Sequence, residues 1–229
     1  MKRKSMNKRI LINILVFLSL SAVGLCGIAN CDASQNFTLD LAKLDLNLTN
    51  NDSSLRDERS VRNLMYNLPL NFVENKGQVA PEVKYIIKAP EESIFFALSR
   101  AVFVLSSGSN SSAVNMTFEG ASPKDVLAEN PSSGKVNFLL GNDSTKWVTD
   151  LPTYAAIRYD DLYPGIDLVF RGTEGTLKHE FLVDPGSDPD QIVLAYDGQS
   201  SLSLDDNGSL IISTPTGELT DYKPFIYQL

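Results

Sequence analysis

From Leu68 onward the sequence consists of short apolar runs separated by turn-forming residues, and this pattern constrains the fold more than any other feature. Within several runs apolar and polar residues alternate, as they do in strands that place one face against a core. Pro-Gly, Glu-Gly, Asp-Gly and Asn-Gly pairs lie between the runs. Because no long helical pattern interrupts them, the sequence predicts an all-β domain over residues 67–229, either an antiparallel β-sandwich or a barrel-like fold.

Several local elements can be predicted within this domain. The runs "SIFFALS" and "RAVFVLS" predict adjacent strands joined by a tight corner at Ser99-Arg100. Residues 205–208, Asp-Asp-Asn-Gly, predict a hairpin, because Asn-Gly tolerates the positive φ values of a type I′ turn. One stretch inside the domain, "SPKDVLAEN" at residues 122–130, predicts a short helix. The last residues, "GELTDYKPFIYQL", have the pattern of a strand, and we expect the natural chain to continue beyond them.

Residues 1–31 have the pattern of an export signal. Five basic residues lie in the first nine positions, and the apolar run "ILINILVFLSLSAVGLCGI" follows at residues 10–28. Small residues after it offer cleavage sites for a signal peptide, but the run could also span a bilayer as an uncleaved signal-anchor helix. Lipidation of Cys31 is a third alternative. Each alternative places the rest of the chain outside the cytoplasm, so we expect a secreted or cell-surface protein that meets the membrane only through this segment.

The remainder of the chain is acidic and has almost no cysteine. The first acid is Asp32, so 15 basic residues face 28 acidic ones after the N-terminal segment. A surface of this charge repels a phosphate backbone, which argues against nucleic acid as a partner. The only cysteines, Cys26 and Cys31, both lie at the end of the export signal, so neither an internal disulfide nor a cysteine zinc site is expected.

Residues 32–66 predict a polar linker with a short helix near 54–66. The linker is rich in Asn, Asp, Ser and Thr. Ser54 and Asp57 resemble an N-cap pair, and the apolar residues after them share one helical face. The chain also contains N-x-[ST] sequons, which suit a glycosylated surface protein. These sequons begin at Asn36, Asn47, Asn51, Asn110, Asn115, Asn142 and Asn207.

His179 is the only histidine, and a serine-triad hydrolase requires one. It lies in "LKHEFLV", where alternation places it on the same strand face as Leu177, Phe181 and Val183. A histidine on an apolar strand face is more often packed than catalytic. We therefore expect His179 to be a core residue and the protein not to be an enzyme; a glycan-acting hydrolase is the alternative.

The acids around His179 fit a hairpin with a polar outer face. "IDLVFRG" and "LKHEFLV" predict two strands joined at Gly172–Gly175 and bracketed by two Pro-Gly corners. Polar residues alternate with apolar ones in both strands. This alternation predicts cross-strand pairs of opposite charge, either Lys178 with Asp167 or Glu180 with Arg171.

The loop after this hairpin is a candidate calcium site. "DPGSDPD" contains Asp184, Asp188 and Asp190, and carboxylate oxygens on a loop suit calcium. Their spacing matches no EF-hand loop, and Asp residues also begin turns before Pro-Gly. Calcium is therefore the single cofactor that we consider.

Aromatic residues form a second candidate site, for carbohydrate. Trp147, Tyr154, Tyr159 and Tyr163 lie close together in sequence. Rings stacked on one exposed face could bind sugars, and nearby carboxylates could then process a glycan. Aromatic residues in an all-β fold are more often part of the packing.

Four motifs carry a family resemblance. They are E-N-x-G-Q at 74–78, G-N-D-x-x-x-W at 141–147, Y-P-G-I-D at 163–167 and P-G-x-D-P at 185–189. As a set, within residues 68–228, they resemble the N-terminal domain of bacterial and archaeal cell-surface proteins that carry seven-bladed β-propeller (SBBP) repeats. The resemblance implies an exported module that precedes propeller repeats, with no assigned activity and no catalytic residues.

The function expected from these observations is a non-catalytic, extracellular structural or interaction module at the N-terminus of such a surface protein. It would act in adhesion or in organising the cell envelope. Its expected partners are the downstream propeller repeats and envelope proteins or glycans. The alternatives are a carbohydrate-binding or glycan-processing domain and a calcium-stabilised adhesion domain.

Overall fold

The computed structural model describes residues 10–17, 70–89, 92–139, 143–173 and 175–228. These residues form one curled sheet of fifteen strands, all paired antiparallel, with the shape of a half-barrel. The strands are β1 Ile10–Phe17, β2 Phe72–Glu74, β3 Val83–Lys88, β4 Glu92–Ala97, β5 Arg100–Ser107, β6 Asn110–Phe118, β7 Asp125–Phe138, β8 Val148–Tyr163, β9 Ile166–Thr173, β10 Thr176–Val183, β11 Leu194–Asp197, β12 Ser201–Leu204, β13 Leu210–Thr214, β14 Gly217–Asp221 and β15 Phe225–Gln228. The all-β prediction is confirmed, in its barrel-like form.

The curled sheet brings residues of strands that are distant in the sheet order, such as Val114 of β6 and Ile212 of β13, into one main apolar cluster. The strands follow the order β11-β6-β5-β4-β3-β2-β8-β9-β10-β1-β14-β13-β12, with β7 added beside β8 and β15 beside β1. Aromatic rings fill the interior; those of Phe96 and Phe170 lie 5.1 Å apart, and those of Phe118 and Tyr159 lie 5.2 Å apart. A second apolar cluster, which includes Phe95 and Val102, accounts for the continuous apolar runs of β3, β4 and β5, because these strands contribute to both clusters.

The predicted hairpins are present, with one change of turn geometry. β4 and β5 pair around the corner after Ala97, and β12 and β13 pair around residues 205–209. The second loop is not a two-residue type I′ turn, which needs a positive φ at both central residues. Among residues 205–209 only Gly208 has a positive φ, of 85°. Instead, Asp205 organises the loop: its carboxylate accepts hydrogen bonds from the backbone N–H groups of Asn207 (2.9 Å) and Ser209 (2.7 Å).

The helix predicted at residues 122–130 is wrong, because most of this stretch belongs to strand β7. Asp125 lies opposite Asp160 and Glu129 opposite Ala156 in the ladder with β8. Val126, which is 4% exposed, packs against the core. Pairing with the long strand β8 outweighs the local helix propensity of these residues.

The N-terminal helix is not supported either. The structure describes Ile10–Phe17 as strand β1, which pairs with β10 on one side and with β14 and β15 on the other. The rest of residues 1–31, the linker and the helix predicted near 54–66 lie outside the described residues. No helix within the described ranges is long and apolar enough to cross a membrane.

Candidate functional site

The β9–β10 hairpin presents a network of paired charges. Glu180, only 6% exposed, receives Arg171 from the opposite strand at 3.0 Å and its neighbour Lys178 at 2.7 Å. The predicted Arg171–Glu180 pair is therefore confirmed. Lys178 does not pair with Asp167, because the register places Lys178 opposite Arg171 and Asp167 opposite Leu182.

The charges of this hairpin stabilise the sheet and also set the ionisation of Glu180. Burial acts to raise the pKa of Glu180, but hydrogen bonds from Lys178 and Arg171 outweigh burial, so its pKa is lowered. The face that was predicted to be solvated is thus partly covered. Asp167 pairs with Arg158 of β8 at 3.5 Å, and Arg158 also binds Glu129 of β7. These ion pairs connect strands β7 to β10 along the outer face of the sheet.

The two Pro-Gly corners of this region lie against each other. Gly165 has a φ of +70°, and a Cβ atom there would collide with the side chain of Ser187. The backbone N–H of Asp184 donates to the carbonyl of Gly165 at 2.9 Å, and the N–H of Ser187 donates to the carbonyl of Asp184 at 3.0 Å. The motifs at 163–167 and 185–189 therefore form one structural unit.

The structure gives Asp184, Asp188 and Asp190, the candidate calcium ligands, different surroundings. The Asp188 carboxylate accepts the backbone N–H of Asp190 at 3.0 Å and caps a 3-10 turn, Pro189–Gln191. Asp188 and Asp190 are exposed, whereas Asp184 is half-buried. Among the described residues, no three Asp, Glu, His or Cys side chains come together as a metal site.

His179 lies in the core, as the alternation predicts. It is 0% exposed, and its ring lies 5.7 Å from that of Phe170 and 5.9 Å from that of Phe181. Neither ring nitrogen has a hydrogen-bond partner. Burial lowers the pKa of His179 from 6.5 to about 3, with a small opposing effect of Glu180, so the imidazole is neutral at physiological pH. A side chain in this position cannot reach a substrate in solvent.

The four candidate aromatic residues do not share an exposed face. Tyr159 is 0% exposed and donates to the Ala97 carbonyl at 2.9 Å; Tyr163 is 3% exposed and donates to the Val193 carbonyl at 3.1 Å. Tyr154 is half-buried. Of the four rings only that of Trp147 is largely exposed, at 41%. Tyr159 and Tyr163 therefore contribute to the packing and to interstrand hydrogen bonds.

The structure reveals a polar pair, a half-buried tyrosine and a buried carboxylate, that the sequence alone did not indicate. The Tyr196 hydroxyl of β11 donates to the Asp221 carboxylate of β14 at 2.9 Å. The second carboxylate oxygen of Asp221 has no partner. Burial raises the pKa of Asp221 to about 6, and the hydrogen bond from Tyr196 opposes this only in part. The pair joins strands that are far apart in the sheet order, so only the curl of the sheet brings them together.

The E-N-x-G-Q motif is a loop whose polar side chains bind its own backbone. The Asn75 amide donates to the carbonyls of Ala80 and Val83, both at 2.9 Å, and its oxygen accepts from Gly77 N–H at 3.1 Å. Gln78 donates to the carbonyl of Glu74 at 2.8 Å. The motif therefore shapes the connection between β2 and β3, and Gly77 supplies the positive φ of 107° that the loop needs.

Exposed apolar side chains concentrate on the C-terminal strands. In β15, Phe225 is 58% exposed, Ile226 66% and Tyr227 37%. The rings of Phe225 and Tyr227 stack 5.8 Å apart with an interplanar angle of 19°. Strand β12, which ends the sheet, exposes Leu202 and Leu204. No simple sequence signal identifies this surface, because "PFIYQ" has the composition of a buried strand.

The domain is one curled antiparallel sheet. Its charged residues mainly form ion pairs between strands and hydrogen bonds within turns. Residues 72–229 match the family described as Domain of unknown function (DUF7948), and the chain belongs to that family. Neither the curated proteins nor the solved structures contain a match to this chain.

Proposed function

We propose that this domain is an exported, non-catalytic module that serves a structural or interaction role in a larger surface protein. The N-terminal sequence supports export, because a basic stretch and an apolar run precede an acidic remainder. The burial of His179 also favours a non-catalytic role, because the only histidine is enclosed by core aromatic rings.

The observation that carries the interaction role is the exposure of β15. A strand with large apolar residues exposed on both faces marks a surface that another protein segment covers. Among the described strands, β15 pairs only with β1, so its other edge offers main-chain groups for further pairing. We propose that the covering segment is the next module of the same polypeptide, which the family resemblance implies to be a β-propeller repeat.

The test uses the parent protein on the cell surface. Deletion of the domain, or replacement of Phe225, Ile226 and Tyr227 by serine, should reduce surface display or partner binding, and limited proteolysis should cleave more readily after the domain. Leu98→Ser is the matched control, since Leu98 is 38% exposed on the β4–β5 turn, a different part of the sheet. Unchanged display and binding after deletion would exclude the proposed role.

A further inference from the structure

The position between β10 and β14 is an interior position of the sheet, and it is filled by β1. On one side Ile10–Val16 pair with Val183–Leu177 of β10; on the other, β1 pairs with β14 and β15. Among the described strands, only β1 joins the ladder of β12 to β14, and β15 with it, to β10. The sheet therefore needs a strand in this position to be continuous.

Export removes the residues that fill this position. If residues 1–31 are cleaved, inserted into a bilayer or separated at a lipidated Cys31, Ile10–Phe17 no longer belong to the sheet. Strand β10 would then present an open edge, and its core residues Leu177, Phe181 and Val183, each 0% exposed here, would lose a neighbour. Open strand edges next to a hydrophobic core favour uptake of another strand.

The register defines the strand that fits this position. Residues opposite Leu177, His179 and Phe181 face the core, whereas residues opposite Lys178 and Glu180 lie on the outer face beside charged groups. A fitting strand therefore alternates apolar with polar residues. In β1 the positions opposite Lys178 and Leu182 are Leu15 and Leu11, and only Asn13, opposite Glu180, is polar. The outer positions of β1 are therefore mostly apolar, as expected for a membrane-directed segment.

Residues 37–48, "FTLDLAKLDLNL", have the alternation that this position requires. Phe37, Leu39 and Leu41 alternate in the first half, and leucines at 44, 46 and 48 alternate in the second. The phase changes at Ala42-Lys43, so the leucines stay on the core side if the ladder uses one half alone, which suffices for its seven pairs, or if a β-bulge lies at that point. The residues between the apolar ones are mostly polar and include Asp40 and Asp45. Either carboxylate, placed on the outer face, would be a partner for Lys178 across the ladder.

The chain path allows this replacement without reversing direction. Residues 10–17 and 37–48 both precede β2, so both can run antiparallel to β10 in the same sense. The backbone of Leu70, where the description resumes, lies against Gly172, and Gly172 lies opposite Leu177 at the end of the β1 ladder. Two strand spacings separate these points, roughly 10 Å. Residues 49–69 can span that distance many times over, since an extended residue covers about 3.3 Å.

We propose that the position between β10 and β14 is a strand-acceptor site, and that Phe37–Leu48 occupies it once Ile10–Phe17 has left the sheet. This inference rests on the proposed function, because export is the event that removes β1. In both states the strand in this position has the same neighbours, β10 on one side and β14 and β15 on the other. The exchange gives the exported domain a strand with a polar outer face in place of a mostly apolar one.

Hydrogen exchange on the full chain tests the proposal. A recognition sequence for a site-specific protease, inserted after Cys31, allows residues 1–31 to be cut from the folded protein. Amide exchange read by mass spectrometry, before and after cutting, should show peptides from residues 37–48 slowing about a hundredfold or more. Peptides covering Leu177–Val183 should stay protected. Leu39→Asp combined with Leu46→Asp should abolish the slowing, whereas the control Asp40→Ser with Asn47→Ser should retain it.

Three results would overturn the proposal: fast exchange of residues 37–48 after cutting, persistent binding of the released fragment 1–31, or protection that appears only in a dimer on size-exclusion chromatography. The dimer would mean that a second copy donates the strand. Export is tested separately, by cell fractionation and by the mass of the secreted N-terminus. A chain that stays in the cytoplasm would refute the proposed function, while the protease experiment would still decide the strand exchange.

Discussion

The most informative perturbation is the separate removal of two buried titratable groups, His179 and Asp221. Burial lowers the pKa of His179 from 6.5 to about 3 and raises that of Asp221 from 3.8 to about 6. The two groups therefore act on stability in opposite directions over the same acidic range. His179→Leu and Asp221→Asn each remove one of them with little change in side-chain volume.

The sign follows from the state that binds the proton. Between pH 6.5 and about 3 the unfolded chain protonates His179 first, so falling pH destabilises the folded protein. Between about pH 4 and pH 6 the folded protein keeps Asp221 protonated, so rising pH destabilises it. Each effect approaches about 1.4 kcal/mol per pH unit within its range, which amounts to about 2 kcal/mol from pH 4 to pH 6. In the wild-type protein the two effects nearly cancel.

Urea denaturation followed by circular dichroism, at intervals from pH 4 to pH 7.5, measures the free energy of unfolding. Relative to wild type, Asp221→Asn should gain stability by about 2 kcal/mol as the pH rises from 4 to 6. His179→Leu should lose about the same amount over the same interval. Asp206→Asn, which changes an exposed carboxylate, is the control and should run parallel to wild type. If both core variants also ran parallel to wild type, the assigned effect of burial on these groups would be refuted.

Three further results are expected. Arg171→Ala should destabilise the domain by about 2 kcal/mol in thermal or urea unfolding, because Glu180 stays buried with one cation fewer. Lys124→Ala, which breaks an exposed ion pair with Asp161, should cost much less, and equal losses for the two variants would contradict this reasoning. Gly172→Ala should cost more than about 2 kcal/mol, because a Cβ there collides with the backbone of Leu70, whereas Gly134→Ala meets only an ordinary contact at 3.5 Å and should be far milder. The melting temperature should be the same in millimolar calcium and in chelator, because a carboxylate in the loop after β10 already caps its own turn; a rise of several degrees with calcium would instead support a calcium-stabilised domain.

Local patterns predicted the hairpins well. The Arg171–Glu180 pair followed from period-two alternation and a four-residue turn, both of which can be read from a short stretch of sequence. The core position of His179 followed from the same alternation. The same reasoning failed at residues 122–130, where pairing with β8, a partner that local sequence does not reveal, decided the conformation.

Contacts that depend on the curl of the sheet could not be predicted. Tyr196 and Asp221 are 25 residues apart and lie on strands that are far apart in the sheet order. Tyr159 and Tyr163 looked like members of an aromatic cluster in sequence, but the curl directs both toward the interior, where their hydroxyl groups bond to distant carbonyls. The exposure of β15 could not be predicted either, because its composition resembles that of a core strand.

The packing of the two Pro-Gly corners has an evolutionary consequence. The hairpin β9–β10 separates residues 163–167 from residues 185–189 in the sequence. Even so, the Ser187 side chain occupies the space that a Cβ atom at Gly165 would need. A larger residue at either position would require a compensating change at the other. We therefore expect the two motifs to be inherited as one unit among relatives, with a small residue at position 187 wherever glycine occupies position 165.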